Sequence, residues 1–287
     1  MPAQRVAILG TGLIGGSFGL ALCQEYPEIS FVGFDRPGVL DLAVERGSIS
    51  EGAADIESAV RDADLVYIAL PIAATIEALP RIAAAAAPHA LVTDAGSTKA
   101  AICSAAQGLF NRGARFLGGH PMAGKESSGI EHADPDLFRG SPYALVANGN
   151  DSDVRVRDFA ALLRGIGARP VWCDADTHDW AVGIVSHLPQ LLSVALARVV
   201  NDETDETDET GLPLSLAGNG LQDSLRLAGS PYDLWRDVCL TNTDNISRAL
   251  DRLSQAVDYL RTRLTSKDLE TEFRAANELY KLLHRQE

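Results

Sequence analysis

Between residues 5 and 173, short unbroken apolar runs alternate with stretches of helical character. RVAIL (5–9), SFVGF (30–34), LVYIAL (65–70), ALVTDA (90–95), ARFLGG (114–119), YALVA (143–147) and ARPVW (168–172) read as strands. The early runs are apolar at successive positions, the pattern of parallel strands covered on both faces. Strands separated by helices imply a doubly wound α/β sheet of Rossmann type over residues 1–173.

The pattern changes after Asp174. DTHDWAVGIVSHLPQLLSVALARVV (176–200) is apolar nearly all round, which predicts one long helix for a core or a subunit interface. Pro189 within it removes one N–H and frees the carbonyl of Val185. Residues 233–264 and 268–284 carry apolar side chains at helical spacing. Residues 174–287 therefore read as an all-α domain that handles substrate and pairs two chains into a homodimer. NDETDETDETG (201–211) reads as a solvated acidic loop between helices, since nothing fixes a cation-binding geometry.

Charge narrows the partners. The formal net charge is −14, so a basic footprint for nucleic acid is missing and an anionic membrane surface would repel the chain. No apolar run approaches the ~20 residues of a membrane span, and MPAQRVAILGTG enters a strand with no signal-peptide pattern. Cys23, Cys103, Cys173 and Cys239 are scattered without metal spacing. The expectation is a cytoplasmic protein with reduced thiols, no metal, and a small-molecule substrate.

The first chemical motif follows the first strand. GTGLIGG places Gly10, Gly12 and Gly15 in a GxGxxG turn. Gly10 permits the turn, Gly12 lets backbone approach a pyrophosphate, and Gly15 lets helix and strand pack closely. Leu13 and Ile14 open the helix, whose N-terminus faces the phosphates. Asp35 ends the second strand about 20 residues on, where a carboxylate accepts hydrogen bonds from ribose hydroxyls and repels a 2′-phosphate. That favours NAD over NADP, although the neighbouring Arg36 suits a phosphate.

Four further segments stand out: DAGSTK (94–99), where Ser97 or Thr98 is placed to cap a helix; HPMAGKESSG (120–129), read as a loop; SHLPQ (186–190); and GNGLQDSLRLAGSPYDLWRD (218–237). In order and spacing the set resembles the prephenate and arogenate dehydrogenase family of tyrosine biosynthesis, over nearly the whole chain. The resemblance implies hydride transfer from C4 of a cyclohexadienyl ring to NAD, with loss of the ring carboxylate. It implies that His120 accepts the C4 hydroxyl proton, a task its ordinary pKa suits, and that Ser97 orients hydroxyl and histidine. It assigns the ring carboxylate to Arg226, whose fork binds carboxylates bidentately. His187 matches a second pocket histidine, and Glu126, Asp223 and Trp235 match a group that gates the pocket.

One position departs from the family. Many members carry a histidine three residues after that of SHLP, where this chain has Gln190. Gln190 hydrogen-bonds but cannot become a cation, which leaves open prephenate against arogenate. Two other readings remain: a Rossmann enzyme oxidising a β-hydroxy acid or imine, which needs a lysine on the long helix where this chain has His187, and a dinucleotide sensor without turnover, which needs no base.

Overall fold

The computed structural model describes residues 3–125, 127–147, 152–207 and 211–284. The first half alternates β1 (Arg5–Leu9), α1 (Leu13–Glu25), β2 (Ser30–Phe34), α2 (Pro37–Glu45), β3 (Glu51–Gly52), α3 (Ile56–Val60) and β4 (Leu65–Ile68). It continues through α4 (Ile72–Ala85), β5 (Leu91–Asp94), α5 (Ala100–Ala106), β6 (Arg115–Pro121), β7 (Pro142–Val146), α6 (Val154–Gly165) and β8 (Arg169–Cys173).

One eight-stranded sheet results, in the order β3-β2-β1-β4-β5-β6-β7-β8. Neighbours are parallel except β6 and β7, where His120 lies opposite Ala144 in an antiparallel pair. The order reverses between β1 and β4, so the crevice of a doubly wound sheet opens at their carboxyl ends. Val6, Ile8, Val66, Ile68, Leu91 and Val92 are buried in two apolar layers, one on each face. All seven strands expected from the apolar runs form. The two-residue β3 escapes notice because Glu51 and Gly52 carry no apolar pattern.

The second half is helical: α7 (Ala175–Val182), α8 (Leu188–Thr207), α9 (Leu212–Ser215), α10 (Asn219–Leu225), α11 (Tyr232–Thr241), α12 (Thr243–Arg261) and α13 (Leu269–His284). The long helix expected over 176–200, with Pro189 interrupting it, forms with a π turn at Gly183–His187, closed by Leu188 N–H on the Gly183 carbonyl. Pro189 is the cause: its ring cannot sit against the Val185 carbonyl in an unbroken α-helix, and the wider turn relieves the clash.

The acidic repeat also departs from expectation. Asn201–Thr207 continue α8, so the first part of the repeat is helix and not loop; residues 208–210 lie outside the described residues. The apolar stretch is longer than the sequence reading allowed as well. Ala175–Thr204 is long and apolar enough to cross a membrane by length and composition alone. It nonetheless buries His178, Asp179, His187, Gln190 and Ser193.

Candidate active site

The glycine turn has the shape its residues predicted. Gly10 has φ +90°, and a Cβ there would lie 2.5 Å from the Ala69 carbonyl oxygen. A Cβ on Gly15 would overlap the Gly10 carbonyl, whereas Gly12 faces open space. Helix α1 starts without a side-chain cap or an acidic residue in its first turn. Its leading N–H groups at Leu13 and Ile14 are thus not taken up by a side-chain cap, the state in which a helix start can receive a phosphate.

Asp35 braces this turn. Its Oδ2 accepts from Thr11 N–H at 2.8 Å and its Oδ1 from Arg36 N–H at 2.7 Å. The Arg36 side chain is 87% exposed and passes 3.9 Å from the carboxylate. Thr11 Oγ1 also reaches Oδ2 at 3.4 Å, which leaves Oδ1 with a lone pair for a further donor.

His120 sits at the carboxyl end of β6, paired opposite Ala144 of β7. It belongs to strand β6, not to a loop, and is 7% exposed. The segment after it folds back onto α1: Ser17 Oγ accepts from Asp134 N–H at 2.9 Å, and a Cβ on Gly16 would strike Ile130. Burial pushes the His120 imidazole well below the ordinary histidine range, with the neighbouring His178, Lys99 and His187 acting the same way. It stands neutral, as a proton acceptor must.

A buried ion pair fixes the strand that carries it. Lys99 and Asp94 are fully buried and bonded to each other, and Lys99 Nζ also donates to the Gly119 carbonyl at 2.7 Å. Asp94 accepts from Gly119 N–H at 3.1 Å and Gly96 N–H at 2.9 Å. The end of β5, the DAGSTK turn and the residue preceding His120 therefore form one rigid unit.

The helix after DAGSTK is not capped as the sequence suggested. Helix α5 begins at Ala100 with no side-chain cap from Ser97 or Thr98. Asp179 of α7 serves instead, accepting from Lys99 N–H at 2.7 Å and Ala100 N–H at 2.9 Å. Thr98 Oγ1 pairs with Thr241 Oγ1 at 2.7 Å, which ties the turn to α11. Ser97, half-buried, lies one residue before that tie.

The helical half brings up the remaining side chains. His187 is 1% exposed and held near pKa 4, chiefly by burial. Its ring meets that of Trp235 edge-on with centroids 5.7 Å apart. His187 Nε2 and Trp235 Nε1 are both buried without a partner among the described residues. Buried polar atoms are normally paired, so these two ring nitrogens call for an explanation.

Gln190 is committed elsewhere than expected. Its Nε2 donates to the Leu227 carbonyl at 2.8 Å, while Ser193 Oγ donates to the Ser224 carbonyl at 2.8 Å and accepts from Ala228 N–H at 3.0 Å. Together they latch to α8 the turn Arg226–Gly229, which carries the exposed Arg226. Asp223 is exposed on α10, and Glu126 lies outside the described residues.

Four buried groups in this cluster escaped the sequence reading: Lys99, His178, Asp179 and Asn242. An adjacent His–Asp pair on an otherwise apolar helix was the available signal for two of them.

A Rossmann sheet with an open glycine turn, a neutral buried histidine at its carboxyl edge and a helical half closing over it defines a dinucleotide-binding dehydrogenase. Comparison with known proteins narrows the class. The family model for the prephenate dehydrogenase nucleotide-binding domain matches residues 18–172, and that for the prephenate dehydrogenase dimerization domain matches residues 174–283. The chain belongs to the prephenate dehydrogenase family.

A prephenate dehydrogenase of Lactococcus lactis subsp. cremoris is 33% identical over 92% of this chain and 72% of its own length. The structure of prephenate dehydrogenase from A. aeolicus in complex with hydroxyphenyl propionate and NAD+ superimposes with a TM-score of 0.85 at 27% identity, covering 99% of this chain and 98% of that one. Synechocystis arogenate dehydrogenase gives a TM-score of 0.79, also at 27% identity, over 99% of this chain and 100% of that one.

Proposed function

We propose that this oxidoreductase converts prephenate to 4-hydroxyphenylpyruvate with NAD, in tyrosine biosynthesis, and takes arogenate to tyrosine as a second reaction. The observation that carries the reading is His120, buried and neutral at the carboxyl edge of β6, beside the turn after β5. The A. aeolicus relative, solved with NAD+ and hydroxyphenyl propionate, supports both the cofactor and the class of ring ligand.

The residues present fit NAD. The open face of Gly12 and the uncapped start of α1 accept a pyrophosphate, and Asp35 accepts the ribose hydroxyls. When bound, the nicotinamide supplies the hydride acceptor. His120 takes the C4 hydroxyl proton as the carbonyl forms, and Ser97 orients that hydroxyl. Arg226 grips the ring carboxylate, which sets the ring's position before carbon dioxide leaves. His187 and Trp235 direct their ring nitrogens at substrate oxygens. Asp223 pairs with Arg226 and gates the pocket, a role the family resemblance also gives Glu126, and Gln190 acts through the turn that bears Arg226.

NADP use is the second reading, favoured by the exposed Arg36 guanidinium beside Asp35. The chain acts as a cytoplasmic homodimer joined by its C-terminal helices, a reading the dimerization-domain match supports. Purified protein supplied with prephenate or arogenate, and with NAD or NADP, tests the whole scheme through absorbance of the reduced cofactor. Prephenate with NAD is expected to give the highest rate, and silence in all four combinations overturns the proposal.

A further inference from the structure

Three buried side chains form a line behind His120. His120 Nδ1 lies 2.9 Å from His178 Nε2, and His178 Nδ1 lies 2.8 Å from Asp179 Oδ1. His178 is 3% exposed and Asp179 2%. Asp179 also accepts the Lys99 and Ala100 N–H groups, so the structure uses it as an acceptor three times over.

Hydrogen-bond bookkeeping along this line leaves one arrangement for neutral rings. A carboxylate only accepts, so His178 Nδ1 carries the hydrogen. A neutral imidazole has one N–H, so His178 Nε2 is bare and accepts. The hydrogen between the rings then belongs to His120 Nδ1, and His120 Nε2 is bare. Nothing among the described residues bonds that nitrogen, which leaves it for the substrate.

We propose that His178 and Asp179 are positioning residues that hold His120 in the tautomer whose Nε2 accepts the substrate proton. The inference rests on the dehydrogenase reading above and deepens it. Without the line, His120 is free to place its hydrogen on Nε2 and become a donor, which is useless to a hydroxyl that must lose a proton.

The same line handles the charge that follows. The substrate O–H bond breaks and an N–H bond forms at His120 Nε2, which makes a cation in a buried place. That cation donates through Nδ1–H to His178, whose far side faces the Asp179 carboxylate. The positive charge is thereby spread toward a fixed negative one, with no group moving. Asp179 in turn borders a cavity of about 730 Å³ lined also by Asp176, Thr177, Thr241 and Arg248.

Asp179 links this chemistry to the fold. The carboxylate that orients His178 is also the cap of α5, so α7 and the DAGSTK turn are set by one side chain. A residue on the helical half thus fixes the tautomer of a residue on the sheet.

Two substitutions separate orientation from bulk. In His178→Gln, an amide N–H can donate to Asp179 while the amide oxygen accepts from His120 Nδ1, so the tautomer survives. In His178→Phe the line is cut with a ring of similar size left in place. The Phe variant is expected to lose about 100-fold or more in kcat with KM within about threefold, and the Gln variant to stay within about tenfold of the parent. Phe at the parent's kcat, or Gln as impaired as Phe, overturns the proposal.

The unaltered enzyme provides a test that needs no variant. With 15N-labelled histidine and NAD bound, the His120 ring is expected to resonate as the Nδ1–H tautomer. An Nε2–H signal overturns the proposal, because it means that His178 donates to His120. If His178→Phe does not fold, the Gln variant and this spectrum decide the matter. If the unaltered enzyme reduces no cofactor with either substrate, the functional reading fails while the spectrum still decides the tautomer.

Discussion

Asn242 Nδ2 lies 3.1 Å from His187 Nδ1 and 2.7 Å from the Asp179 carbonyl oxygen, so one amide serves both histidine neighbourhoods. Its orientation is fixed from the other side, where Asn242 Oδ1 accepts from Asn245 Nδ2 at 2.7 Å. An N–H therefore points at His187 Nδ1, which must accept, and the His187 hydrogen sits on Nε2. His187 is a donor where His120 is an acceptor. In Asn242→Leu this control is lost and the Asp179 carbonyl keeps only Gly183 N–H of its two donors. We expect KM for the ring substrate to rise about tenfold or more, from one lost charge-assisted bond, with a smaller change in kcat. Initial-rate kinetics check this; an unchanged KM would show that His187 needs no orientation.

Stability should fall on the acid side, with a sign set by burial. His187 is neutral down to about pH 4 in the folded chain, against ~6.5 when unfolded. The unfolded chain thus binds more protons between those values. The folded state keeps its full margin above about pH 6.5 and loses it as pH falls toward 4. Urea melts should show about 2–3 kcal/mol less stability at pH 4.5 than at pH 7 from His187 alone. His120 shifts in the same direction and adds to the loss. His187→Gln should give a shallower slope, and an equal slope would assign the effect to other groups.

The Lys99–Asp94 pair should be costly to break from one side. Lys99→Met leaves a carboxylate with no cation in a fully buried site and strips the Gly119 carbonyl of a donor. Breaking a buried pair this way costs about 3–5 kcal/mol. Activity should fall with it, since Gly119 precedes His120. Adding Asp94→Asn removes the stranded charge, so the double variant should recover part of the loss. A double variant that melts at the sum of the two single effects would mean the pair is not coupled.

How far the sequence could be read depends on the range of the interaction. The strands RVAIL and LVYIAL are announced by their own apolar runs, and the glycine turn by Gly10, Gly12 and Gly15, because these are local demands of backbone and packing. The motif points to His120 but the apolar run ends at Gly119; β6 runs on through His120 and Pro121 because they pair with β7, 22 residues or more along the chain. Asp179 capping α5 across 80 residues left no local trace, and neither did Asn242 between His187 and Asp179. Such contacts exist only once α7 has packed on the sheet.

Cofactor choice should respond to Asp35. Its carboxylate holds Thr11 N–H at 2.8 Å and presents charge where a 2′-phosphate would lie. In Asp35→Ser the repulsion goes while Arg36 stays. We expect kcat/KM with NAD to fall about tenfold, as for a lost bond to a charged group, and kcat/KM with NADP to rise. Parallel kinetics with the two cofactors decide it. A variant that loses both equally would show that Asp35 matters through the Thr11 turn alone.

The final expectation concerns α13. This helix has no buried residue, yet Phe273, Ala276, Tyr280 and Leu283 recur at helical spacing, with Phe273 at 72% and Leu283 at 67% exposure. An isolated helix of 16 residues is marginal in water unless its apolar stripe is covered. Val199 on α8 and Val257 on α12 are exposed as well. A second chain, placed through the match to a dimerization domain, is the cover the proposed homodimer supplies. Light scattering should give twice the 30.5 kDa of one chain. Phe273→Glu with Tyr280→Glu puts two charges into that contact and should yield single chains with a lower melting temperature, because α13 then has nothing to pack on. A double variant that remains paired would move the interface off α13.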